Sequence, residues 1–483
     1  MVSRIAGTLA LFLALTLGGA SIDGASSQAD PVVPPSPPPL TTNLPQQVAA
    51  TISALQQLGA AGTTAGIAYV ENYAHPNDNG GGVFLWLPTA TGQPDNCLTF
   101  AAKGVSTGLW QRQLNGIPFN ADMCGTGNAD DSVAINAAFK VCVANQLPLT
   151  FSAKRYKLLG ALNPPSGCAF HGAGRFGFHG ANATIFDFHS APASVTTLMS
   201  IVGGPIFGTY NTGSSFGGFQ IVDGYRVPRT GLYISRVGGI QGSDIAVYSV
   251  LGTGIFLGQE QEASYRGLYV YDSGSPTASE LDIDGENSDG KDYASTTTSL
   301  YDVSAEVAGK QGTPCGIAIN RNELLTITGG VSENNGTLVC IANKPAASIG
   351  TLGISIEHFD LENPSGQSPC VSIGNGWAGR PGRGAVNVRL VGDVCIPSQA
   401  SGASAFAVSN VNGFFAEGNY VNAFPQSLAY FDFQGVNSDI SLGMNGSDGV
   451  AVSYIVQGGK PVANVLIGQS WSTTAPVVAK PGP

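Results

Sequence analysis

Charge is scarce in this 483-residue sequence: Asp, Glu, Lys and Arg make up 11% of it. The 32 acidic residues outnumber the 21 basic ones and leave a net charge of −11. So few cations argue against nucleic acid as a partner, because phosphates demand clustered Lys and Arg. They also make a polyanionic polysaccharide harder to bind unless a cation bridges the two. A hydrophobic share of 43% excludes a disordered chain. Histidines number five, and the spacings of His171, His179 and His189 match no common metal-ligand motif. No Cys-x-x-Cys pair occurs, which speaks against a zinc ribbon or a thioredoxin-like redox site. After the first residues no apolar run is long enough to span a bilayer.

What is abundant is glycine, 66 residues, which suits many short strands joined by tight turns. Residues 1–25 read as a secretory signal: Arg4, an apolar run over 5–17, then small residues. The expectation is a secreted or periplasmic protein with no membrane span after signal removal. A Pro/Ser-rich linker follows over 26–41. A helix is expected over 42–58 from Val48, Ile52, Leu55 and Leu58, within a small module covering 42–118. Eight cysteines in an exported chain point to disulfides. Cys315 and Cys340 are 25 residues apart, as are Cys370 and Cys395. If a solenoid rung takes that many residues, stacked cysteines would lie about 5 Å apart, within disulfide reach. Cys97 with Cys124 and Cys142 with Cys168 are then the remaining pairs, one of many connectivities that eight cysteines permit.

Residues 119–175 carry the clearest organisation. Ala129, Asp130 and Asp131 supply capping chemistry for a short helix. Val133, Ala134, Ala137, Ala138 and Val141 form its expected apolar stripe. Strands over 147–152 and 168–171 follow, closed by Gly172-Ala173-Gly174. Gly125, Gly127, Asp130 and Asp131 before the helix, with Gly172 and Gly174 after it, resemble the opening of the pectate-lyase superfamily. That superfamily of right-handed parallel β-helices includes pectin-degrading enzymes and phage tailspikes. Thr126-Gly127-Asn128 departs from the family, which usually has an Asp between glycines. The β-rich segment 65–116, with Gly108 and Trp110, resembles the head-to-helix connector of tailspikes.

The resemblance implies an all-β protein: a right-handed parallel β-helix solenoid over 119–475 with an N-terminal capping helix, preceded by the small β-rich module. A β-sandwich is the competing architecture. Short strands are expected at 218–223, 244–250, 267–272, 300–305, 324–328, 352–358, 386–391, 414–420 and 440–444.

For function the resemblance implies an exported polysaccharide-degrading enzyme, a lyase or a glycoside hydrolase, working in a groove on the β-helix. The alternatives are a non-catalytic glycan-binding or adhesion protein and a phage-derived tailspike-like depolymerase, either monomeric or homotrimeric. The Asn-Thr-Asp, Asp-Asp, Gly-His-Gly and Arg-Ile-Lys series of polygalacturonases is absent, so no catalytic residue carries over. Strand-end carboxylates are therefore the candidates: Asp223, Asp272 and Glu306, with Arg266 as a basic neighbour. Tyr248, Tyr269, Tyr271 and Asp360 are candidate substrate contacts, although tyrosine is also ordinary strand composition. The loop 279–293 offers Asp282, Asp284 and Asp289 as oxygen ligands for calcium, without EF-hand spacing, and a solvated loop explains it equally well.

Overall fold

The computed structural model describes residues 46–58, 66–175, 182–204, 211–225, 227–288, 291–307, 313–342, 350–365, 368–374, 385–397, 404–422, 429–448, 454–456, 462–467 and 471–472. The expected signal and linker lie outside these described residues. The first sheet along the chain has, among the described residues, five strands in the spatial order Gln46–Ala49, Ile67–Val70, Gly82–Leu87, Leu109–Gln113, Thr99–Ala101. Ile52, Leu55, Phe84, Trp86, Phe100 and Trp110 make its core. The helix expected over 42–58 is shorter, Ile52–Leu58. Gln46–Ala49 instead pairs in parallel with Ile67–Val70, which leaves Val48 70% exposed. Strand pairing has overridden a weak helical period there.

Buried Arg112 joins this module to the next by donating hydrogen bonds to the carbonyls of Gly80, Cys97 and Met123. The solenoid starts at Phe119–Asn120 and is closed by the helix Ser132–Asn145. Asp130 accepts from the Ser132 amide, and Asp131 accepts from the Gly127 and Asn128 amides. The buried stripe of this helix is Ile135, Ala138, Phe139 and Cys142, at i, i+3, i+4 and i+7. Of the expected stripe, Ala138 and Val141 are buried and Ala134 and Ala137 pack against the core, while Val133 is exposed and the bulky Phe139, outside that stripe, meets Phe151 and Phe170.

Among the described residues thirty strands then form one sheet system in which each rung pairs in parallel with the next. This is the parallel β-helix. Three faces recur. The strands Ser295–Glu306, Asn322–Glu333 and Thr351–Glu362 each supply two faces, and each holds a left-handed residue near its start, Thr297, Leu324 and Gly353, and another at the bend between the faces. The bend residues stack as Asp244, Gly267, Asp302, Gly329 and His358, all with φ between +54° and +69°. The third face holds Leu281–Asp284, Cys315–Asn320 and Thr337–Ile341.

Inward side chains stack in register, as in the column Ile234, Leu257, Ile283, Ile319, Ile341, Ile373, Val408 and Phe433. All are buried, so each rung is held by its neighbours' apolar surface. The four expected disulfides, Cys97–Cys124, Cys142–Cys168, Cys315–Cys340 and Cys370–Cys395, are all formed. Among the described residues no helix is long and apolar enough to cross a membrane.

Candidate functional site

The second face carries a ladder of carboxylates. Side chains alternate in and out along each strand, so residues in register on successive rungs line one outward column. One such column runs Tyr248, Tyr271, Glu306, Glu333, Glu362. The column two residues earlier runs Tyr269, Ser304, Val331, Asp360. With rungs about 4.8 Å apart, the glutamate ladder sets like charges side by side.

Electrostatics follow from that crowding. Burial raises the Glu306 carboxyl above its ordinary value, and the charge of Glu333 adds to the rise. A hydrogen bond donated by the Tyr269 hydroxyl at 3.1 Å, Ser304 and Arg175 act in the opposite direction. Glu362 is raised by burial, then by the charges of Asp360 and Glu333 and a hydrogen bond with Asp360. Two carboxyls of the ladder therefore hold protons more tightly than a free glutamic acid does. The Asn334 amide donates to Glu333 at 3.2 Å.

Beside the carboxylates lies an aromatic patch. Tyr269 and Tyr271 are stacked at 6.1 Å and 13°, and Tyr248 meets them at 5.7 and 6.3 Å. Arg175 reaches this patch from the segment after Gly174. It pairs with Asp244 at 2.7 Å and lies 5.6 Å from the Tyr269 ring centre. Half-buried rings beside carboxyls offer an apolar face for a sugar ring and polar groups for its hydroxyls.

Of the residues singled out in the sequence, the structure brings together Tyr248, Tyr269, Tyr271, Glu306 and Asp360. Five others sit elsewhere. Asp223 is fully buried beside Arg229, with 3.6 Å between Oδ1 and Nη1, and does not reach the outward face. Asp272 is one residue past the Tyr271 column and has φ +52°, stacking with Ser249, Val307, Asn334 and Asn363 as a turn former. Arg266 is on the first face, across the Gly267 bend, with its guanidinium 5.5 Å from the Tyr301 ring centre. Asp282 and Asp284 are buried on the third face, and Asp284 pairs with Arg321 at 2.7 Å. Asp289 lies outside the described residues. Among the described residues no group of three or more His, Cys, Asp or Glu is gathered to hold a metal.

Sequence reasoning missed Glu333, Glu362 and Arg175. The signal for the glutamates was present: Glu306-Val307, Glu333-Asn334 and Glu362-Asn363 each end a strand one residue before a left-handed turn. Aligning strand ends without fixing the turn residue shifted Asp272 into the column and left Glu333 out. Nothing local marks Arg175, which arrives by the path of the chain.

Residues 48–115 match the family model described as the phage tail protein small four-stranded beta-sheet domain. No curated protein matches the chain. Solved structures do. The tailspike protein gp49 of Acinetobacter baumannii bacteriophage Fri1, described as a capsular polysaccharide depolymerase, superposes with a TM-score of 0.51 at 11% identity. That match covers 90% of this chain and 76% of gp49. The enzymatically active domain of tailspike protein 2 from bacteriophage CBA120 gives 0.51 at 13% identity, over 86% of this chain and 56% of that one. PfbA, a surface adhesin of Streptococcus pneumoniae, gives 0.52 at 11%, over 73% and 90%. At such identities the likeness is one of fold. What these structures share with the resemblance seen in the sequence is the parallel β-helix fold.

Proposed function

We propose that the protein is an exported glycoside hydrolase that cleaves a polysaccharide on the outward second face of its β-helix. The observation that carries this reading is the in-register ladder Glu306, Glu333 and Glu362, with two of its carboxyls raised, beside three tyrosines. Hydrolysis needs one protonated carboxyl for the leaving oxygen and one ionised partner. In this scheme Glu306 gives its proton to the glycosidic oxygen. The Glu333 carboxylate attacks the anomeric carbon, and water then releases the sugar with Glu306 as base. Adjacent rungs stand about 4.8 Å apart, close to the roughly 5–5.5 Å of retaining enzymes, so retention of anomeric configuration is expected.

Elimination from a uronate is the less favoured route. It needs the substrate carboxylate neutralised, and here Arg175 is already paired with Asp244 amid several acids. Calcium is a cofactor to be tested separately, since Asp282 and Asp284 are buried on the third face, away from this ladder. The similarity to gp49, a capsular polysaccharide depolymerase, supports a glycan substrate, as does the likeness to tailspike protein 2. Four disulfides support an oxidising, extracellular-type compartment.

The test is a screen of purified protein on neutral and uronate-containing polysaccharides, with calcium or with chelator. New reducing ends without unsaturated, ultraviolet-absorbing products are expected, unchanged by chelation. Unsaturated products would mean a lyase, and binding without cleavage would mean an adhesin like PfbA. The pH profile gives a second check. A general acid must be protonated, so kcat/KM should fall as pH rises through the raised carboxyl pKa, and the Glu306→Gln variant should lack that limb. A solution mass separates monomer from homotrimer.

A further inference from the structure

We infer that the outward first face is a second saccharide track, which holds a neutral glycan without cleaving it; this rests on the polysaccharide reading above. Its outward column runs Ser299, Thr326, Ser355, Arg389, Phe415 and Ser441 on successive rungs. The adjacent column runs Arg266, Tyr301, Thr328, Glu357, Val391 and Glu417. Near each end a guanidinium lies on the aromatic ring of the next rung. Arg266 is 5.5 Å from the Tyr301 centre, and Arg389 is 5.6 Å from the Phe415 centre. Hydroxyl side chains fill the rungs between. Five steps of about 4.8 Å separate Arg266 from Phe415, giving a strip of roughly 24 Å.

At the Phe415 end the strip opens into a groove of about 480 Å³ lined by Thr326, Ser355, Glu357, Arg389, Phe415 and Ser441 among others. Arg389 donates to Glu357 at 3.2 Å, and the Ser355 hydroxyl donates to the same oxygen at 2.8 Å. The arginine side chain is 52% exposed, and an exposed ion pair adds little to stability. A carboxylate and a guanidinium side by side offer an acceptor and donors to neighbouring sugar hydroxyls, over the flat face of Phe415. Asp439 also lines the groove, so among its described lining residues two are acidic and one is basic. That balance suits a neutral sugar and repels a uronate.

Cleavage is not expected here. The register neighbours of Glu357 are Thr328 and Val391, so it lacks the adjacent carboxyl of a retaining pair, and Glu417, two rungs on at about 9.6 Å, lies beyond the usual spacing of an inverting pair.

The test is affinity electrophoresis of the full chain carrying Glu333→Gln in gels containing dextran, galactomannan, xyloglucan or polygalacturonate. At least one neutral polymer should retard the protein, and polygalacturonate should not. Phe415→Ala and Arg389→Ala should each weaken that retardation roughly three- to tenfold, while Phe415→Tyr keeps it. Thermal melting of each variant checks that it is folded. The inference is overturned if no neutral polymer retards the chain, if folded Phe415→Ala and Arg389→Ala variants bind unchanged, or if polygalacturonate binds better. It is equally overturned if Phe415→Ala abolishes self-association, since the occupant would then be a second copy of this chain. Arg389-dependent binding by a wild type that cleaves nothing would sink the hydrolase proposal alone. Intact cleavage with indifferent Phe415→Ala binding would sink this one alone.

Discussion

Glu306 and Asp272 both close strands of the second face, yet one residue of register separates their roles. Glu306 occupies the last outward position of its strand, in register with Tyr271 and Glu333. Asp272 follows the equivalent position and takes a left-handed φ of +52°, where Asp is tolerated because its side chain bonds locally. Its Oδ2 lies 3.5 Å from the Ser249 hydroxyl. Glu333→Gln should therefore lower kcat by about 10²–10⁴-fold on a proven substrate, with melting unchanged. Asp272→Asn should retain activity within a few-fold, since Asn accepts the same backbone conformation. Loss of activity in Asp272→Asn together with full activity in Glu333→Gln would move the site to the turn. Gly330 makes a residue-scale claim about stability. It has φ +131°, and a Cβ there would stand 2.0 Å from the Val303 carbonyl oxygen. Gly330→Ala should cost about 1–3 kcal/mol in denaturant titration.

At the scale of elements, the bends between faces are held by buried polar stacks. Asn419 accepts from the Asp393 amide, and Asn445 accepts from the Asn419 amide. Asp393 itself accepts from the Phe359 amide at 2.9 Å. Burial pushes the Asp393 carboxyl up to about 8. Inside the solenoid, burial likewise pushes Glu260 up to about 8, against hydrogen bonds from Tyr265 and Thr298. Both carboxyls stay protonated in the folded chain up to that pH, whereas the unfolded chain releases those protons near about pH 4. The folded state thus binds more protons across that window, and stability is lost as pH rises through it. Urea midpoints should fall between about pH 5 and pH 8.5, and Asp393→Asn should flatten the decline. An Asp393→Asn midpoint with the same pH slope would show that the carboxyl is not buried as a neutral acid.

For the whole molecule, stability is a sum over rungs, because each rung contacts only its neighbours. Ile319 is fully buried between Ile283 and Ile341. Ile319→Ala should cost about 2–5 kcal/mol, with amide exchange accelerated most in the flanking rungs. Uniform acceleration across the chain would instead mean a single cooperative unit. The same one-dimensional stacking explains what could be read in advance. Each of the nine strands expected between 218 and 444 overlaps an observed strand of the first two faces. The strands of the third face went unread, because Cys315–Asn320 and Thr337–Ile341 are buried throughout and show no alternation.

Glycine-rich turns and the resemblance carried by residues 119–175 made the solenoid legible in the sequence by itself, and cysteines about one rung apart pointed to crosslinks, though to one pairing among many. Those signals act locally or repeat from rung to rung, so they survive in a linear string. The site did not. Only the winding of the chain puts Glu306, Glu333 and Glu362 side by side across intervals of 27 and 29 residues. Only it brings Arg175 over Tyr269 and buries Asp223 against Arg229. Register across rungs depends on where each left-handed turn falls, and a turn displaced by one residue sends a carboxylate to a different position. The tertiary structure therefore decided which acids meet, because their charge coupling exists only at the spacing of stacked strands.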